Sequence, residues 1–194
     1  MIQKGKSIMG NVTVKRTSAL EGHYSLGHFG DHPDPNIIFD ELKDLKLHQI
    51  AFWPETVDRI GPRLAGLVGK NLLPKPGKSI VEGDIALLRI EPFKIWIIGA
   101  PAPQFRTDES VNLDISHSRT HMRISGVDAA KLLNSYLPID LRESSLPIGS
   151  VVSTAFHHVG VTLWRAEAGY ELFLPRGFAL SLWELLLEGA AQFG

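Results

Sequence analysis

The short distance between successive apolar runs is the feature that most limits how this chain can fold. Residues 85–90 and 95–98 form two such runs, and only Glu91-Pro92-Phe93-Lys94 lies between them, a spacing typical of a hairpin. Further runs predicted as strands lie at residues 47–53, 111–116, 121–125, 151–156, 160–164 and 170–174. Because a parallel connection needs about a dozen residues or more, the closely spaced runs predict antiparallel sheets.

Segments with helical spacing separate these predicted strands. Apolar residues at positions 57, 60, 64, 67 and 68 predict a helix. Pro62 fits best in a first turn, so the helix is expected to begin near Gly61 and to end at Gly69. The spacing of Ser125-Gly126-Val127-Asp128 matches a capping box and predicts a second helix to about Tyr136. The mixture predicts an α+β fold with antiparallel sheets, built as two ferredoxin-like halves.

The last predicted helix, residues 177–191, has an unusually wide apolar surface. Its polar residues form one narrow stripe, made of Ser181, Glu184, Glu188 and Gln192. An ordinary surface helix carries an apolar stripe of about 100° or slightly more, and here the stripe is about twice as wide. Such a helix is buried on two sides. Either both sides pack within its own domain, or one side meets another chain.

Chain length and local composition predict the domain organisation. A chain of 194 residues fits one domain. Residues 1–40 are rich in glycine and proline and have little periodicity, which predicts an arm or loop that becomes ordered only in a complex. Residues 41–194 are expected to form a single domain of two halves, 41–105 and 111–194. No sequence repeat relates these halves.

Charge and cysteine content exclude several classes of protein. The net charge is −1 at pH 7, whereas a dedicated nucleic-acid-binding protein normally has a basic excess. The absence of cysteine removes disulfides, thiolate nucleophiles and cysteine-ligated zinc. No apolar run approaches the roughly 20 residues of a membrane span, and no apolar segment of signal-peptide type follows the N-terminal lysines. These features predict a cytoplasmic protein.

No motif of the sequence predicts a catalytic, cofactor-binding or metal-binding residue. Gly77-Lys78-Ser79 lacks the glycine that a phosphate-binding loop needs at position 72, which is leucine, and Gly5-Lys6-Ser7 lies too close to the first residue to have one. There is no GxGxxG motif for a dinucleotide. The group Asp114, Ser116, His117 and Ser118 is adjacent in sequence, which does not support a triad, because a triad forms in space.

Metal ligation is not predicted either, although suitable side chains occur close together. No helical motif presents two ligands on one face of the N-terminal segment, so its possible ligands are interpreted as polar loop residues: His23, His28, Asp31, His32 and Asp34. His157 and His158 are adjacent, and neighbouring residues of a strand point to opposite faces. They are therefore interpreted as a solvated turn.

Residues 114–134 carry a resemblance to a known family. Their sequence, DISHSRTHMRISGVDAAKLLN, resembles the pattern D-[VIL]-S-H-…-I-x-[VI]-x-G-x-D-A-x-x-[FL]-L-N of the aminomethyltransferase family, which includes the folate-binding T-protein of glycine cleavage. Four further segments make the chain similar to the gamma-subunit family of heterotetrameric sarcosine oxidases: residues 137–141, 160–165, 170–176 and 181–184.

The resemblance implies a fold similar to the N-terminal part of the T-protein folate-binding fold. It also implies a non-catalytic small subunit that assembles with alpha, beta and delta subunits. Those partners are expected to hold FAD, FMN, NAD and tetrahydrofolate, and no cofactor is expected in this chain. The complex would oxidise sarcosine to glycine, with formaldehyde or methylene-tetrahydrofolate as the second product. Two alternatives stay open: a stand-alone folate-binding or aminomethyltransferase-like protein, and a gamma-like subunit of another N-methyl amino acid oxidoreductase.

One departure from the family pattern argues against a folate role for this chain. Folate-using members of the family have a Gly-x-x-Asp-Asp-like segment, whose acidic residue interacts with folate. Residues 157–162 of this chain, HHVGVT, contain no carboxylate at the corresponding place. Valine or glycine cannot replace a carboxylate as an ion-pairing or proton-accepting group. The resemblance therefore implies a retained fold without the acid.

Overall fold

The computed structural model describes residues 17–23, 27–29 and 35–193, and for residues 27–29 it describes the backbone alone. Within these residues the chain forms two sheets and three α-helices. The strands are β1 Gly27–Phe29, β2 Ile37–Glu41, β3 Leu47–Phe52, β4 Lys78–Glu82, β5 Ile85–Glu91, β6 Lys94–Ile98, β7 Ser110–Asp114, β8 Arg119–Ser125, β9 Val151–Phe156, β10 Val159–Ala166 and β11 Gly169–Pro175. The helices are α1 Val57–Ala65, α2 Ala129–Asn134 and α3 Ala179–Ala190.

All paired strands of both sheets are antiparallel, which confirms the predicted α+β class. The six-stranded sheet has the order β1-β2-β8-β11-β10-β9, and the five-stranded sheet has the order β4-β5-β6-β3-β7. The predicted hairpin between β5 and β6 forms around Pro92 and Phe93. Short turns also join β9 to β10 and β10 to β11.

Each sheet contains a ferredoxin-like unit, as the sequence predicts. The order β5-β6-β3-β7 in one sheet matches β10-β11-β8-β2 in the other, and β4 and β9 extend the two units in the same way. Strands cross the predicted boundaries, however. All of β2 except its last residue lies in the predicted arm of residues 1–40, and β2 completes the six-stranded sheet, where its Ile37 and Phe39 are fully buried. β7, inside 111–194 but for its first residue, completes the five-stranded sheet.

Three apolar clusters hold the elements in four layers. α1 packs on the outer face of the five-stranded sheet through Ile60 and Leu64. α2 and α3 cover the outer face of the six-stranded sheet. The inner faces of the two sheets meet around Trp96 and Phe173, whose ring centroids lie 5.4 Å apart in an edge-to-face arrangement. Side chains of β6 and β11 alternate between these layers, as the period of a strand requires.

Two predicted helix starts are wrong. α1 begins at Val57, directly after a single 3-10 turn over Pro54–Thr56, and Pro62 lies inside the helix. Burial of Ile60 and Leu64 outweighs the backbone hydrogen bond that the proline removes. The capping box does not form, because Ser125 is the last residue of β8 and pairs with Ile38. α2 begins at Ala129 instead, without a side-chain cap.

The wide apolar surface of α3 is covered by this chain itself. Leu182, Trp183 and Leu186 are buried in the core of the six-stranded sheet, and Leu180, Leu185 and Leu187 are half-buried against the same core. The structure thus favours the first of the two explanations for this helix, packing within its own domain. Within the part of the chain that the structure describes, none of the helices has the length and apolar character needed to cross a lipid bilayer.

Candidate functional site

Three polar or aromatic side chains form a row on the inner face of the six-stranded sheet. Register places Arg123 of β8 opposite Glu171 of β11, and Glu171 opposite Trp164 of β10. Side chains directly opposite each other in neighbouring strands share a face. The row therefore projects toward the five-stranded sheet, in the layer that separates the two sheets.

Glu171 is the centre of a buried ion cluster. One carboxylate oxygen, Oε2, lies 2.7 Å from Nε2 of His121, and the other, Oε1, accepts hydrogen bonds from Nη2 and Nε of Arg123 at 2.7 and 3.2 Å. Glu171 is 3 % exposed and His121 is 6 % exposed. The imidazole also stacks on Phe173, with ring centroids 4.2 Å apart and an interplanar angle of 17°. Both carboxylate oxygens are thus engaged by side chains of the same sheet.

The surroundings of Glu171 favour its ionised form. Burial acts to raise the pKa of this carboxyl, because a charge is poorly solvated in the interior. The hydrogen bonds and charges of His121 and Arg123 act in the opposite direction and together outweigh burial, so the pKa lies below its usual value. Glu171 is consequently a charged acceptor whose partners are fixed.

A cavity of about 670 Å³ opens beside this cluster, between the two sheets. Arg123, Glu171 and Trp164 line it from the six-stranded sheet. From the five-stranded sheet it is lined by apolar side chains that include Val81, Ala86 and Ile98. Its volume falls within the range of about 300–1,000 Å³ that is typical of small-molecule sites.

The segment Gly77-Lys78-Ser79, which the sequence excludes as a phosphate-binding loop, joins the two sheets. The Ser79 N–H donates to the carbonyl of Gly149 at 2.8 Å, and the indole N–H of Trp164 donates to the Ser79 hydroxyl at 2.9 Å. Lys78 Nζ donates to the hydroxyl of Ser150 at 2.8 Å. These bonds connect the start of β4 to the start of β9 and close one side of the layer between the sheets. We call this bonded junction of the two strand starts the seam.

The run that begins at Asp114 forms the turn from β7 to β8. The Ser116 N–H donates to Asp114 Oδ1 at 3.0 Å, and the Ser116 hydroxyl accepts the N–H of Leu47 at 2.8 Å. Ser116 is buried, whereas His117 and Ser118 are exposed. The motif therefore attaches this turn to β3, and Ser116 has a structural role there.

The histidines considered as metal ligands are spread apart or lie outside the description. His157 and His158 form the turn between β9 and β10, as predicted, and His157 adopts a left-handed conformation with φ 51°. Asp31, His32 and Asp34 lie outside the described residues, and for His28 the backbone alone is described. Over residues 17–23 and 35–193, no three acidic or histidine side chains converge in a way that would hold a metal ion.

Sequence reasoning missed the ion cluster of His121, Arg123 and Glu171. A signal for it exists, since Glu171 interrupts the apolar run YELFL, and the run HMRI alternates polar and apolar residues. A charged residue inside a strand that is otherwise apolar indicates a buried partner. The partner of Glu171 is 48 residues away in sequence, so local patterning does not identify it.

Comparison with known proteins gives matches in structure only. No protein-family model matches the chain, and no curated protein matches it in sequence. A chain of the heterotetrameric sarcosine oxidase from Corynebacterium sp. U-96 matches 85 % of this chain and 88 % of its own length, with a TM-score of 0.72 and 18 % identity. The glycine cleavage system aminomethyltransferase T from Bartonella henselae matches 90 % of this chain but only 52 % of its own length, with a TM-score of 0.53 and 18 % identity.

These matches confirm the fold that the resemblance implies. The chain has a T-protein-like fold, and it spans about half the length of the aminomethyltransferase. The two coverage values for the sarcosine oxidase chain are nearly equal, so that chain is about as long as this one. At this level of identity the likeness concerns the fold, and function depends on the site that the fold carries.

Proposed function

We propose that this chain is a non-catalytic small subunit of a heterotetrameric oxidase of the sarcosine oxidase type, and that it assembles and stabilises larger flavin-bearing subunits. The complex would act in the cytoplasm and convert sarcosine to glycine, with formaldehyde or methylene-tetrahydrofolate as the second product. FAD, FMN, NAD and tetrahydrofolate would be held by the alpha, beta and delta partners. The alternative, a gamma-like subunit of another N-methyl amino acid oxidoreductase, assigns this chain the same assembly role and differs only in the substrate of the complex.

The observation that carries the proposal is the match over nearly the whole of both chains. The similar chain belongs to a four-subunit enzyme and has about the length of this one, whereas the aminomethyltransferase is about twice as long. A chain that matches a subunit over most of that subunit's length is expected to function as a subunit. The match to the aminomethyltransferase, by contrast, covers only about half of that enzyme.

The state of the buried acid also supports a non-catalytic role. A general base needs a lone pair that faces the proton it removes. Both oxygens of Glu171 already bind His121 or Arg123, and its lowered pKa makes it a weaker base than an ordinary glutamate. Glu171, the most buried carboxylate among the described residues, is therefore placed to stabilise the fold and not to accept a proton from a substrate.

Co-purification tests the proposal. The full chain carries an affinity tag and is co-expressed with candidate flavin-bearing subunits from the same source. We expect it to co-purify with them in fixed stoichiometry, and we expect the flavoprotein made without it to lose stability or activity. A chain that stays monomeric, beside a flavoenzyme that is intact and active without it, would contradict the proposal.

The cavity beside Glu171 favours a second candidate, a stand-alone folate-binding protein. Its volume is sufficient for a small ligand, and its walls combine an aromatic ring, apolar side chains and a guanidinium. Calorimetric titration of the isolated chain with tetrahydrofolate separates the two candidates. Micromolar binding that is lost in Trp164→Ala would favour folate binding, and the absence of heat would remove this candidate.

A further inference from the structure

Strand β7 is an edge of the five-stranded sheet that carries free backbone groups. Within the described residues it pairs with β3 alone. Ile115, one residue beyond β7, donates its N–H to the carbonyl of Leu47 in the segment of β3. Backbone groups alternate in direction along a strand, so those of Leu113 and Val111 also point toward β3. In an antiparallel pair the intervening residues turn their N–H and C=O groups away from the neighbour. These residues include Asn112 and Asp114.

The side chains of β7 are unusually open for a strand of a folded domain. All of its residues except Ser110 are exposed. Val111 is 47 % exposed and Leu113 is 50 % exposed. Both lie on one face of the strand, beside Ala51 and Gln49 of β3, and that face is the inner face of the sheet. An edge with two aligned apolar side chains is a template for another strand.

Among the described residues, no lysine, proline or bulge interrupts this edge and no segment pairs with its outer side, and its one charged residue is Asp114 at the end of the strand. Proteins protect such edges with lysine, proline, bulges or a covering segment. β7 has the sequence SVNLD and runs alongside β3 in continuous register. At the opposite side of the fold, by contrast, the edges of β4 and β9 begin in the seam and bond to each other. β7 is thus an edge strand of five residues that, within the part of the chain that the structure describes, has no such bonds along its outer side.

We propose that β7 is the docking edge for an extended segment of a partner subunit, which adds a strand beside Asn112 and Asp114. The inference rests on the proposed function, since it needs a partner chain. The incoming strand would place apolar side chains against Val111 and Leu113. It would place a lysine or arginine beside Asp114, at the end of the strand.

Charge decides between a partner subunit and a second copy of this chain. Asp114 is exposed and forms no ion pair with any lysine or arginine among the described residues. Antiparallel pairing of two β7 strands about Asn112 would place Asp114 opposite Ser110 of the second copy. Neither carboxylate would then face a lysine or arginine, and the neighbouring basic side chains would be the histidines His48 and His117 alone. A partner strand with a lysine or arginine at this position supplies a permanent positive charge, which favours a different chain as the occupant.

Amide exchange and one backbone variant test the inference. The full chain is compared alone and in complex with the candidate flavin-bearing subunits, and exchange is followed in a peptide that covers residues 109–115. We expect exchange there to slow by about tenfold or more in the complex. Asn112→Pro removes an N–H that faces outward, so it leaves the internal ladder intact while it blocks strand addition. We expect this variant to lower recovery of the complex by about tenfold.

Matched variants separate docking from folding. Asn112→Thr keeps the backbone N–H and is expected to co-purify like the wild type. Leu113→Lys places a charge on the exposed face and is expected to fold normally but to assemble poorly. Two results would overturn the inference and leave the proposed function intact. One is that Asn112→Pro recovers as much of the complex as the wild type does, and the other is that amide exchange at residues 109–115 does not change in a complex that forms.

Two other outcomes concern the occupant itself. If the wild-type chain recovers no partner, the proposed function fails, and the inference fails with it because no partner strand exists. If light scattering shows a dimer of this chain alone that Asn112→Pro dissociates, the edge is used by a second copy. That result would overturn the assignment to a partner subunit.

Discussion

Glu171 and His121 are in contact, and they are two of the three buried acidic or basic side chains among the described residues. A buried carboxylate is tolerated when every acceptor position is occupied, because desolvation is then offset by charge-assisted hydrogen bonds. His121 and Arg123 supply these bonds from the neighbouring strand β8. The cluster therefore fixes the register of β8 against β11 as well as the charge of the acid, since a shift by one residue would move these side chains to the opposite face.

Removing the charge of Glu171 is expected to destabilise the fold. Glu171→Gln keeps the shape of the side chain but leaves the guanidinium of Arg123 with a neutral partner. The side chain of Arg123 is 31 % exposed, so water compensates part of the loss, and we expect a cost of about 2 kcal/mol in the free energy of unfolding. Urea unfolding at neutral pH measures it. Glu167→Gln, at an exposed position on the rim of the same cavity, is the control and should change stability by less than about 0.5 kcal/mol.

The same carboxyl is expected to make stability depend on pH in the acid range. Its pKa is lower in the folded chain than in the unfolded chain, where the ordinary value is about 4.3. The unfolded state therefore binds the proton first as the pH falls. The stabilisation is complete above the unfolded pKa and is lost as the pH falls through the folded pKa. The difference in unfolding free energy between wild type and Glu171→Gln should accordingly shrink as the pH falls below about 4.3; a difference that stays constant or grows would contradict the assignment.

The residues of the candidate site were only partly predictable from sequence. Ser116 was recognised as part of a motif, but its bond to Leu47 joins segments that are 69 residues apart. The sequence predicts Arg123 and Glu171 as ordinary strand residues, because nothing in the local pattern pairs them. Polar residues inside apolar strands mark a buried site, and the register between distant strands decides which of them meet.

At the scale of elements, local patterns predicted strands better than helix ends. The runs at 85–90, 95–98 and 151–156 all correspond to observed strands, because alternation and turn residues lie close together in sequence. The start of α1 was misplaced, since packing of its apolar stripe overrides the preference of Pro62 for a first turn. The strand β4 was missed, because its sequence, KSIVE, is mostly polar and its bonds to β5 and the seam hold it in place.

The contact between α2 and α3 depends on Gly189. A Cβ at this position would lie 2.8 Å from Cδ1 of Leu132 and would clash with the hydroxyl of Tyr136. That hydroxyl donates to the carbonyl of Leu185 at 2.7 Å, and its ring stacks on Phe156 with centroids 4.8 Å apart. The ring therefore cannot move aside without losing contacts, and the two helices can approach closely only with a glycine here.

Alanine at two glycines should have opposite effects on stability. In an open helix position, glycine to alanine stabilises by up to about 1 kcal/mol. Gly66→Ala meets this condition, because φ is −59° and no atom lies within 4 Å of the added Cβ. Gly189→Ala should instead destabilise by about 1–2 kcal/mol, because overpacking outweighs the gain in helix propensity. Urea unfolding of both variants measures the effects, and stabilisation by both would show that α2 and α3 are less closely packed.

At the scale of the whole molecule, each sheet is completed by a strand from outside the predicted half that supplies most of it, an arrangement that we call the exchange. β2 lies before the first half and completes the six-stranded sheet, while β7 lies almost wholly in the second half and completes the five-stranded sheet. Sequence reasoning predicted two ferredoxin-like halves but not this exchange. Local spacing determines which strands exist, whereas the exchange depends on pairing between segments far apart, such as Phe39 and Ile124.

The exchange predicts that neither half folds alone. A fragment of residues 111–194 contains β8 without its neighbour β2, and it contains β7 without β3. Its Phe173 would also lose Trp96, which packs against it across the sheets. We expect the fragment to lack a cooperative urea transition and to show a weak near-ultraviolet circular dichroism signal. The six-stranded sheet would lose β2, the five-stranded sheet would be missing except for β7, and the inner layer would be open to water. Co-expression with residues 1–110 supplies all of the missing strands and should restore the transition. Cooperative unfolding of the isolated fragment would instead establish 111–194 as an autonomous unit and would restrict the role of β2 to covering an edge.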